Sequence, residues 1–357
     1  MTAHAPVEQD DSRLSAAQRE AFEHLMAATE RRLRDFLSDE LATWTGTDPR
    51  AGTPVEAITR LVESGGKRLR PAFCVAGYLA GGGGPEGYDG VVSAAAALEV
   101  LHACALIHDD VMDQSDQRRG GPTAHVHHTG VHRRRGWQGD PERYGENVAI
   151  LAGDLALIYS DRLMADAPAT VLGLWSELRS ELIIGQYMDV LAAAEFSADP
   201  QLARWIAVAK SGHYTIHRPL ALGARLAGRT DLAAPFQEYG ITVGEAFQLR
   251  DDLMDAFGTS EASGKPAGLD FDRHKMTLLM GLAMERDPRV RELFLDPSYG
   301  PEVLRALLVD NGVRDDVEDH IGQLVQKGCE ALAEASLDDR WRGELRAMAH
   351  GVAFRDR

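Results

Sequence analysis

The stretch from Val91 to Asp113 is rich in Ala, Leu and Val and contains neither Gly nor Pro. It predicts one helix of about six turns at roughly 3.6 residues per turn. Similar patterns run over 146–166, 172–196, 201–228, 236–257 and 313–335, and no alternating strand pattern flanked by turns occurs. Thr53-Pro54-Val55-Glu56 reads as a helix start, with Thr53 as cap, Pro54 at the first helical position and Glu56 closing a capping box. The fold class is all-α.

Breaks between these helices are short, with three exceptions. Gly81-Gly82-Gly83-Gly84-Pro85 is a flexible connector by composition. Gly130–Glu146, with Arg133-Arg134-Arg135 and Trp137, reads as a polar insertion between helices. Gly258–Gly268 carries Gly264-Lys265-Pro266 directly after an acidic helix end. One or both of the latter two are expected to order when ligand binds, Gly258–Gly268 above all. No linker separates two composition regimes and no period of 20–50 residues recurs. The economical division is a polar, disordered lead-in over 1–12 and one large helical domain over 13–357.

No run approaches the roughly 18 apolar residues of a membrane span. Cys74, Cys104 and Cys329 match no metal-ligand spacing. An odd number in a chain of 357 residues argues against a disulfide framework and for a cytoplasmic location. The net charge of −17 argues against nonspecific nucleic-acid binding. An acidic chain that still gathers Lys and Arg at chosen points is expected to use them on an anionic ligand.

Asp109-Asp110-Val111-Met112-Asp113 ends one long helix and Asp251-Asp252-Leu253-Met254-Asp255 lies near the end of another. Both have i, i+1, i+4 spacing, which puts the first and last carboxylates about 40° apart on one helix face, flanked by the middle one. A lone triplet of this kind reads equally well as a solvated polar face. Here both follow strongly apolar stretches, Ala103–Ile107 and Ile241–Leu249, so they sit at the mouth of a core. Acidic groups at a helix C-terminus also oppose the macrodipole. If the triplets face each other, carboxylate pairs at ~4 Å repel by about 4 kcal/mol at an effective dielectric near 20. Hard divalent cations with oxygen ligands relieve that repulsion, and Mg²⁺ completes its shell with water and phosphate oxygens. The two triplets read as a metal–phosphate clamp.

Gly65-Gly66-Lys67-Arg68-Leu69-Arg70-Pro71 sets three cations in four positions behind two glycines that let a ligand approach the backbone. Arg118-Arg119-Gly120-Gly121-Pro122-Thr123 follows the first triplet by five residues, which places its guanidinium forks near the same metals. His102 lies two turns before Asp109 on nearly the same face. On its own it is a core histidine, and beside a phosphate it is a hydrogen-bonding partner. Lys210, Lys265 and Lys275 carry no signal individually. No glycine-rich nucleotide loop, serine-nucleophile motif or Cys/His metal cluster competes.

In order and approximate spacing, Gly65–Pro71, His102, Asp109–Asp113, Arg118–Thr123, Gly153-Asp154, Gly185-Gln186, Lys210, Phe247-Gln248, Asp251–Asp255 and Lys265 resemble the trans-isoprenyl diphosphate synthases. The likeness spans roughly residues 60–280, and among members the chain looks most like a bacterial geranylgeranyl diphosphate synthase. The resemblance implies a helical bundle around a deep central cavity, normally a homodimer, that condenses isopentenyl diphosphate with allylic diphosphates. It implies that Asp109, Asp110, Asp113, Asp251, Asp252 and Asp255 bind Mg²⁺, three ions in the closed complex. Lys67, Arg70, His102 and Arg119 would hold isopentenyl diphosphate, and Arg118, Lys210 and Lys265 the allylic diphosphate, with Gln248 beside it. Ser211 stands where the family usually has Thr, Tyr214 matches a family aromatic, and His274-Lys275-Met276-Thr277 departs from the usual Gly-Lys before Thr.

The residues below the first triplet are those that set product length in such enzymes. Cys104 and Ala105 are small, whereas Leu101 and Leu98 lie about 12 and 16 Å below Asp109 at 1.5 Å per residue. They form an expected floor for a twenty-carbon chain, with farnesyl or longer products as the alternative. A class I terpene cyclase would share the helices but replace the second triplet with an Asn/Asp-Ser/Thr-Glu pattern and need no second diphosphate site. A silent regulatory subunit would lose acidic residues, and a helical scaffold would leave the paired triplets and their cations accidental.

Overall fold

The computed structural model describes residues 13–195, 197, 199–258, 271, 275–296 and 300–355, with Ser211 and Pro301 as backbone only. Lys265, His274 and most of Gly258–Gly268 lie outside them, as does the lead-in over 1–12. The helices are α1 (Ala16–Thr47), α2 (Thr53–Glu63), α3 (Leu69–Ala80), α4 (Tyr88–Met112), α5 (Ala124–Arg135), α6 (Pro141–Leu163), α7 (Ala169–Ala194) and α8 (Pro200–Ala207). A π-helical segment over Val208–His217 runs into α9 (Arg218–Leu226) and is followed by α10 (Ala233–Phe257). The C-terminal helices are α11 (Leu278–Arg286), α12 (Pro288–Leu295), α13 (Pro301–Asp310), α14 (Val313–Ala331) and α15 (Asp339–Ala353). Among the described residues the β structure is one hairpin pairing Gln117–Arg118 (β1) with Gly121–Pro122 (β2).

The all-α expectation holds, and the long helix predicted from Val91 is α4. Val91, Ala95, Leu98, Leu101 and Ile107 are all buried, so α4 is apolar on most of its circumference and runs through the core. Residues Pro85–Met112 in fact form a stretch long and apolar enough to cross a membrane by length and composition, contrary to the reading of the sequence. Two thirds of its most apolar window is buried inside the protein (67%), the signature of a core helix.

Three local expectations change. Thr53 does not cap α2. It is the first helical residue, and Gly52 occupies the cap position with no side-chain hydrogen bond, while Pro54 still stands in the first turn. Gly130–Glu146 is not an insertion. α5 continues to Arg135 and α6 starts at Pro141 on an Asp140 cap whose side chain accepts from the Glu142 and Arg143 amides. Basic residues in the last turn of α5 complement its dipole, which is why an arginine run read as loop is helical. The stretch 201–228 is continuous as predicted but wound as a π-helix in its middle.

That π-helix meets α10 backbone to backbone. A Cβ added at Gly244 would collide with the Gly212 backbone, and one at Gly240 would lie against the His217 backbone. Glycine at these crossings permits the contact that presses the Lys210 segment onto the helix of the second acidic triplet. α10 is also held to the C-terminus. Tyr239 Oη donates to the Leu345 carbonyl at 2.7 Å, and Arg250 Nε donates to the Ala353 carbonyl at 2.7 Å.

Two outcomes are expected. Gly244→Ala should cost about 1–3 kcal/mol or more of stability through overpacking, and a urea midpoint unchanged from wild type would refute the backbone contact. His217 is buried with Nδ1 lacking a partner among the described residues, and burial foremost, aided by Arg218 and His213, pushes its pKa down to about 3. The unfolded imidazole titrates near 6.5, so the folded state favours the neutral ring. The stability this contributes is complete above about pH 6.5 and is lost as pH falls toward 3. His217→Gln should therefore flatten the acid limb of the stability curve, measured as urea midpoints at pH 7.5 and 5.0. Equal losses in both proteins would contradict it.

Candidate active site

The C-terminal turn of α4 brings the first triplet out of the core and divides its members. Asp109 and Asp113 are half-buried, whereas Asp110 is buried. Arg118 Nε donates to both Asp110 oxygens, at 2.8 and 2.9 Å, and its guanidinium lies 3.7 Å from Asp109 Oδ2. This fork ties the β1–β2 hairpin to α4. The second triplet divides the same way. Asp252 is buried, accepting from Gln248 Nε2 at 2.7 Å and from the Leu279 amide in the first turn of α11 at 3.1 Å. Asp251 and Asp255 are half-buried, and Asp251 pairs with Arg355. The middle carboxylate of each triplet is engaged by protein, a division that i, i+1, i+4 spacing alone does not reveal.

Asp109 and Asp251 line one cavity of about 530 Å³. It is also lined by Lys67, Arg70, His102, Arg118, Arg119, Lys210, Gln248 and Lys275, with Leu106, Ile206, Phe247 and Met276 among its apolar walls. The two basic clusters meet. The Arg119 guanidinium donates to the Gly65 carbonyl and, at 3.3 Å, to the Leu61 carbonyl. A Cβ on Gly66, whose φ is +145°, would lie 2.9 Å from that guanidinium. Arg70, at the start of α3 where the macrodipole adds positive potential, donates to Thr215 Oγ1 at 2.9 Å and stacks over the Tyr214 ring at 4.2 Å.

This side of the cavity is cation-rich. Burial, and then the neighbouring Arg68, Arg118 and Arg70, lower the Arg119 pKa against the pull of Glu99. Burial and the same arginines hold His102 well below its ordinary value, so the ring is neutral. Among the described residues His102 Nδ1, Arg70 Nε and Tyr214 Oη are buried without hydrogen-bond partners. Crowded cations and buried polar atoms with spare hydrogen-bonding capacity suit an anionic ligand.

A second group of cations faces the first triplet. Lys210 Nζ donates to Asp189 Oδ2 at 2.6 Å and lies 3.9 Å from Asp109 Oδ1. Lys275 Nζ lies 3.7 Å from Asp189 Oδ2 and 3.8 Å from Asp113 Oδ2. Burial raises the Asp113 pKa, partly offset by Lys275. For Asp189 burial works upward as well, but Lys275 and Lys210 outweigh it and hold the carboxylate below its usual range. The position of Lys275, obscured in the sequence by its unusual neighbours, is thereby fixed beside Lys210.

Asp189 and Arg355 are among the cavity residues that escaped the sequence reading. Asp189 follows Gly185-Gln186 by one turn of α7, and that spacing was the available signal. Arg355, stacked on Phe247 at 4.3 Å, comes from beyond the end of α15 and had none. Leu98, Leu101, Cys104 and Ala105 do not line the cavity, which α4 walls with Glu99, His102, Leu106 and Asp109. Leu98, Leu101 and Cys104 are buried in the core and Ala105 is half-buried, with burial pushing the Cys104 thiol up to about 12.

Among the described residues no three His, Cys, Asp or Glu side chains converge as a ready metal cage. The carboxylates instead offer separate oxygens beside crowded cations. That donor set fits a hard divalent ion that keeps water and phosphate oxygens in its shell, with Asp109, Asp113, Asp251 and Asp255 as the residues to hold it.

Comparison with known proteins places this geometry. The solved geranylgeranyl pyrophosphate synthase of Corynebacterium glutamicum, complexed with isoprenyl diphosphate and magnesium, superposes with a TM-score of 0.85 at 35% identity, covering 94% of this chain and 99% of that one. Geranylfarnesyl diphosphate synthase of Aeropyrum pernix is 30% identical over 306 residues, 81% of this chain and 90% of its own length. Nonaprenyl diphosphate synthase of Mycobacterium tuberculosis is 30% identical over 263 residues, 73% and 69% of the two chains. The polyprenyl synthetase profile matches residues 53–303, the span that contains both triplets and both basic clusters. The chain belongs to the polyprenyl synthetase family and is a prenyltransferase of the trans-prenyl diphosphate synthase type.

Proposed function

We propose that the chain condenses isopentenyl diphosphate head to tail with allylic diphosphates, that Mg²⁺ serves it at three positions per site, and that its product is geranylgeranyl diphosphate. The observation that carries this reading is one cavity that receives carboxylates from both triplets together with two groups of cations having separate protein partners. A terpene cyclase has no use for the group formed by Lys67, Arg70 and Arg119.

Mg²⁺ supplies Lewis-acid neutralisation of the allylic diphosphate, so that the allylic C–O bond ionises. Lys210 and Lys275 bind the same diphosphate as fixed charges, and Arg118 orients the triplet against it through Asp110. Lys67, Arg70 and Arg119 hold the diphosphate of isopentenyl diphosphate, with neutral His102 offering a hydrogen bond at Nδ1. Leu106, Ile206, Phe247 and Met276 keep water from the cationic carbon. Asp189, the carboxylate between the two lysines, is engaged by their ammonium groups, and released pyrophosphate takes the proton. Lys265 retains the allylic-diphosphate role that the resemblance assigns it, and Ser211 is a substrate-binding candidate beside Lys210.

The chain-length role of Cys104, Ala105, Leu101 and Leu98 rests on the resemblance, since all four lie off the cavity and Leu98 and Leu101 are fully buried. Two supports bear on the other finer points. Exposed Ile150, Leu151 and Ile158 on α6 and Ile183, Ile184 and Tyr187 on α7 suit burial against a second copy, in a homodimer. Three free, buried cysteines suit the cytoplasm.

Purified protein incubated with Mg²⁺, isopentenyl diphosphate and each short allylic diphosphate should yield a twenty-carbon alcohol after dephosphorylation. Asp109→Ala and Asp251→Ala should each reduce turnover by at least about 100-fold while folding normally. Near-normal turnover in either variant removes that carboxylate from the mechanism. Ala105→Phe should shorten the product and Leu98→Ala should lengthen it. An active Ala105→Phe enzyme with an unchanged product distribution would refute the proposed path.

A further inference from the structure

Asp189 lies on α7, a helix that carries neither acidic triplet and no member of either basic cluster. Its side chain is only 12% exposed, yet it lines the cavity. One of its oxygens, Oδ2, serves two ammonium groups, that of Lys210 at 2.6 Å and that of Lys275 at 3.7 Å. Each lysine also stands near one half-buried member of the first triplet. Lys210 lies 3.9 Å from Asp109, and Lys275 lies 3.8 Å from Asp113. One turn earlier on α7, Gln186 Nε2 donates to Asp109 Oδ1 at 3.2 Å. The charges therefore alternate, Asp113, Lys275, Asp189, Lys210, Asp109, with Asp189 at the centre.

The two lysines reach this point from unrelated parts of the chain, the π-helix and the segment before α11. Two ammonium groups drawn into one corner of a cavity repel each other, and both side chains are long and rotamer-rich. A shared carboxylate holds them together without using them up. An ammonium has three donors, so each lysine can keep Asp189 and still offer hydrogen bonds to a phosphate oxygen.

We propose that Asp189 is a positioning residue for the condensation. It fixes Lys210 and Lys275 relative to the first triplet and so sets the pair of cations that meets the allylic diphosphate. This inference rests on the reading of the site given under the proposed function. Asp189 acts through the lysines and does not itself touch the diphosphate, since like charges exclude that contact. The isopentenyl diphosphate side, held by Arg70 and Arg119 with different partners, is outside its reach.

The test compares wild type, Asp189→Asn, Asp189→Glu and Lys275→Gln by steady-state kinetics with each substrate varied in turn. Asp189→Asn should lower kcat/KM for the allylic substrate roughly 10–100-fold, the usual range for losing an outer-shell partner, with the KM for isopentenyl diphosphate unchanged. Asp189→Glu should restore part of the loss. In the Lys275→Gln background the Asn substitution should cost less than it does alone, because its effect runs through that lysine. Calorimetric titration with inorganic diphosphate and Mg²⁺ should show weaker binding by Asp189→Asn without reference to turnover. Wild-type allylic kcat/KM in the Asn variant, equal losses toward both substrates, or an undiminished effect without Lys275 would each overturn the proposal. If Asp189→Asn does not fold, Asp189→Glu carries the test, and an unchanged allylic KM there overturns it equally. A wild-type protein that condenses no substrates would instead strike down the proposed function, and the diphosphate titration would still report on Asp189.

Discussion

Carboxylates gathered at the edge of an apolar core repel one another, and the architecture of this protein is organised around compensating them. Asp110 receives the Arg118 fork, Asp251 receives Arg355, and Asp109 and Asp113 share Lys210 and Lys275 with Asp189. None of these cations is local to its acid in the way an i, i+4 pair would be. Compensation therefore depends on tertiary structure, and each pair ties together elements far apart in the chain. The opposite side of the cavity has the reverse imbalance, with Arg68 paired to both Glu30 and Glu99 while Arg70 and Arg119 bind neutral groups. A cavity with excess acid on one side and excess base on the other is matched by bound cations and anions together. That makes metal diphosphates a better complement than either ion alone.

The backbone provides the precision this balance requires. α10 can deliver Asp251 only where its packing against the π-helix puts it, and Gly212 and Gly244 let the two backbones touch. The wider π winding turns Lys210, Tyr214 and Thr215 toward the cavity side, with Arg70 hydrogen-bonded to Thr215 and stacked on Tyr214. π segments cost helix stability and recur where function demands an unusual side-chain arrangement. Arg250, adjacent to the second triplet, fastens α10 to the Ala353 carbonyl and to Glu318, so α14 and α15 brace the helix that carries that triplet.

Local features were legible in the sequence and tertiary compensations were not. Helix class, the long core helix and both triplets follow from residue spacing, because 3.6-residue periodicity and i, i+4 geometry are properties of one segment. The basic clusters were legible as clusters, since three cations in four positions stand out in a chain of net charge −17. The split roles of Asp109 and Asp110 were hidden, because which neighbour turns inward depends on where Arg118 arrives. Asp189 and Arg355 were missed for the same reason, as single charges whose partners lie 21 and 104 residues away. The arginine run of α5 misled in the other direction. Its composition reads as solvated loop, but at a helix C-terminus the same charges are favourable.

The two faces of α4 meet different surroundings. At roughly 100° per residue, His102, Leu106 and Glu99 lie to one side of the Asp109 direction and wall the cavity. Ala105 and Leu101 lie to the other side, inside or beside the core. Substitution on the first side changes the lining of the cavity. Substitution on the second repacks the core, at about 1–3 kcal/mol for an enlarged side chain. A single helix thus presents charged and polar side chains to the cavity on one side and apolar packing to the core on the other.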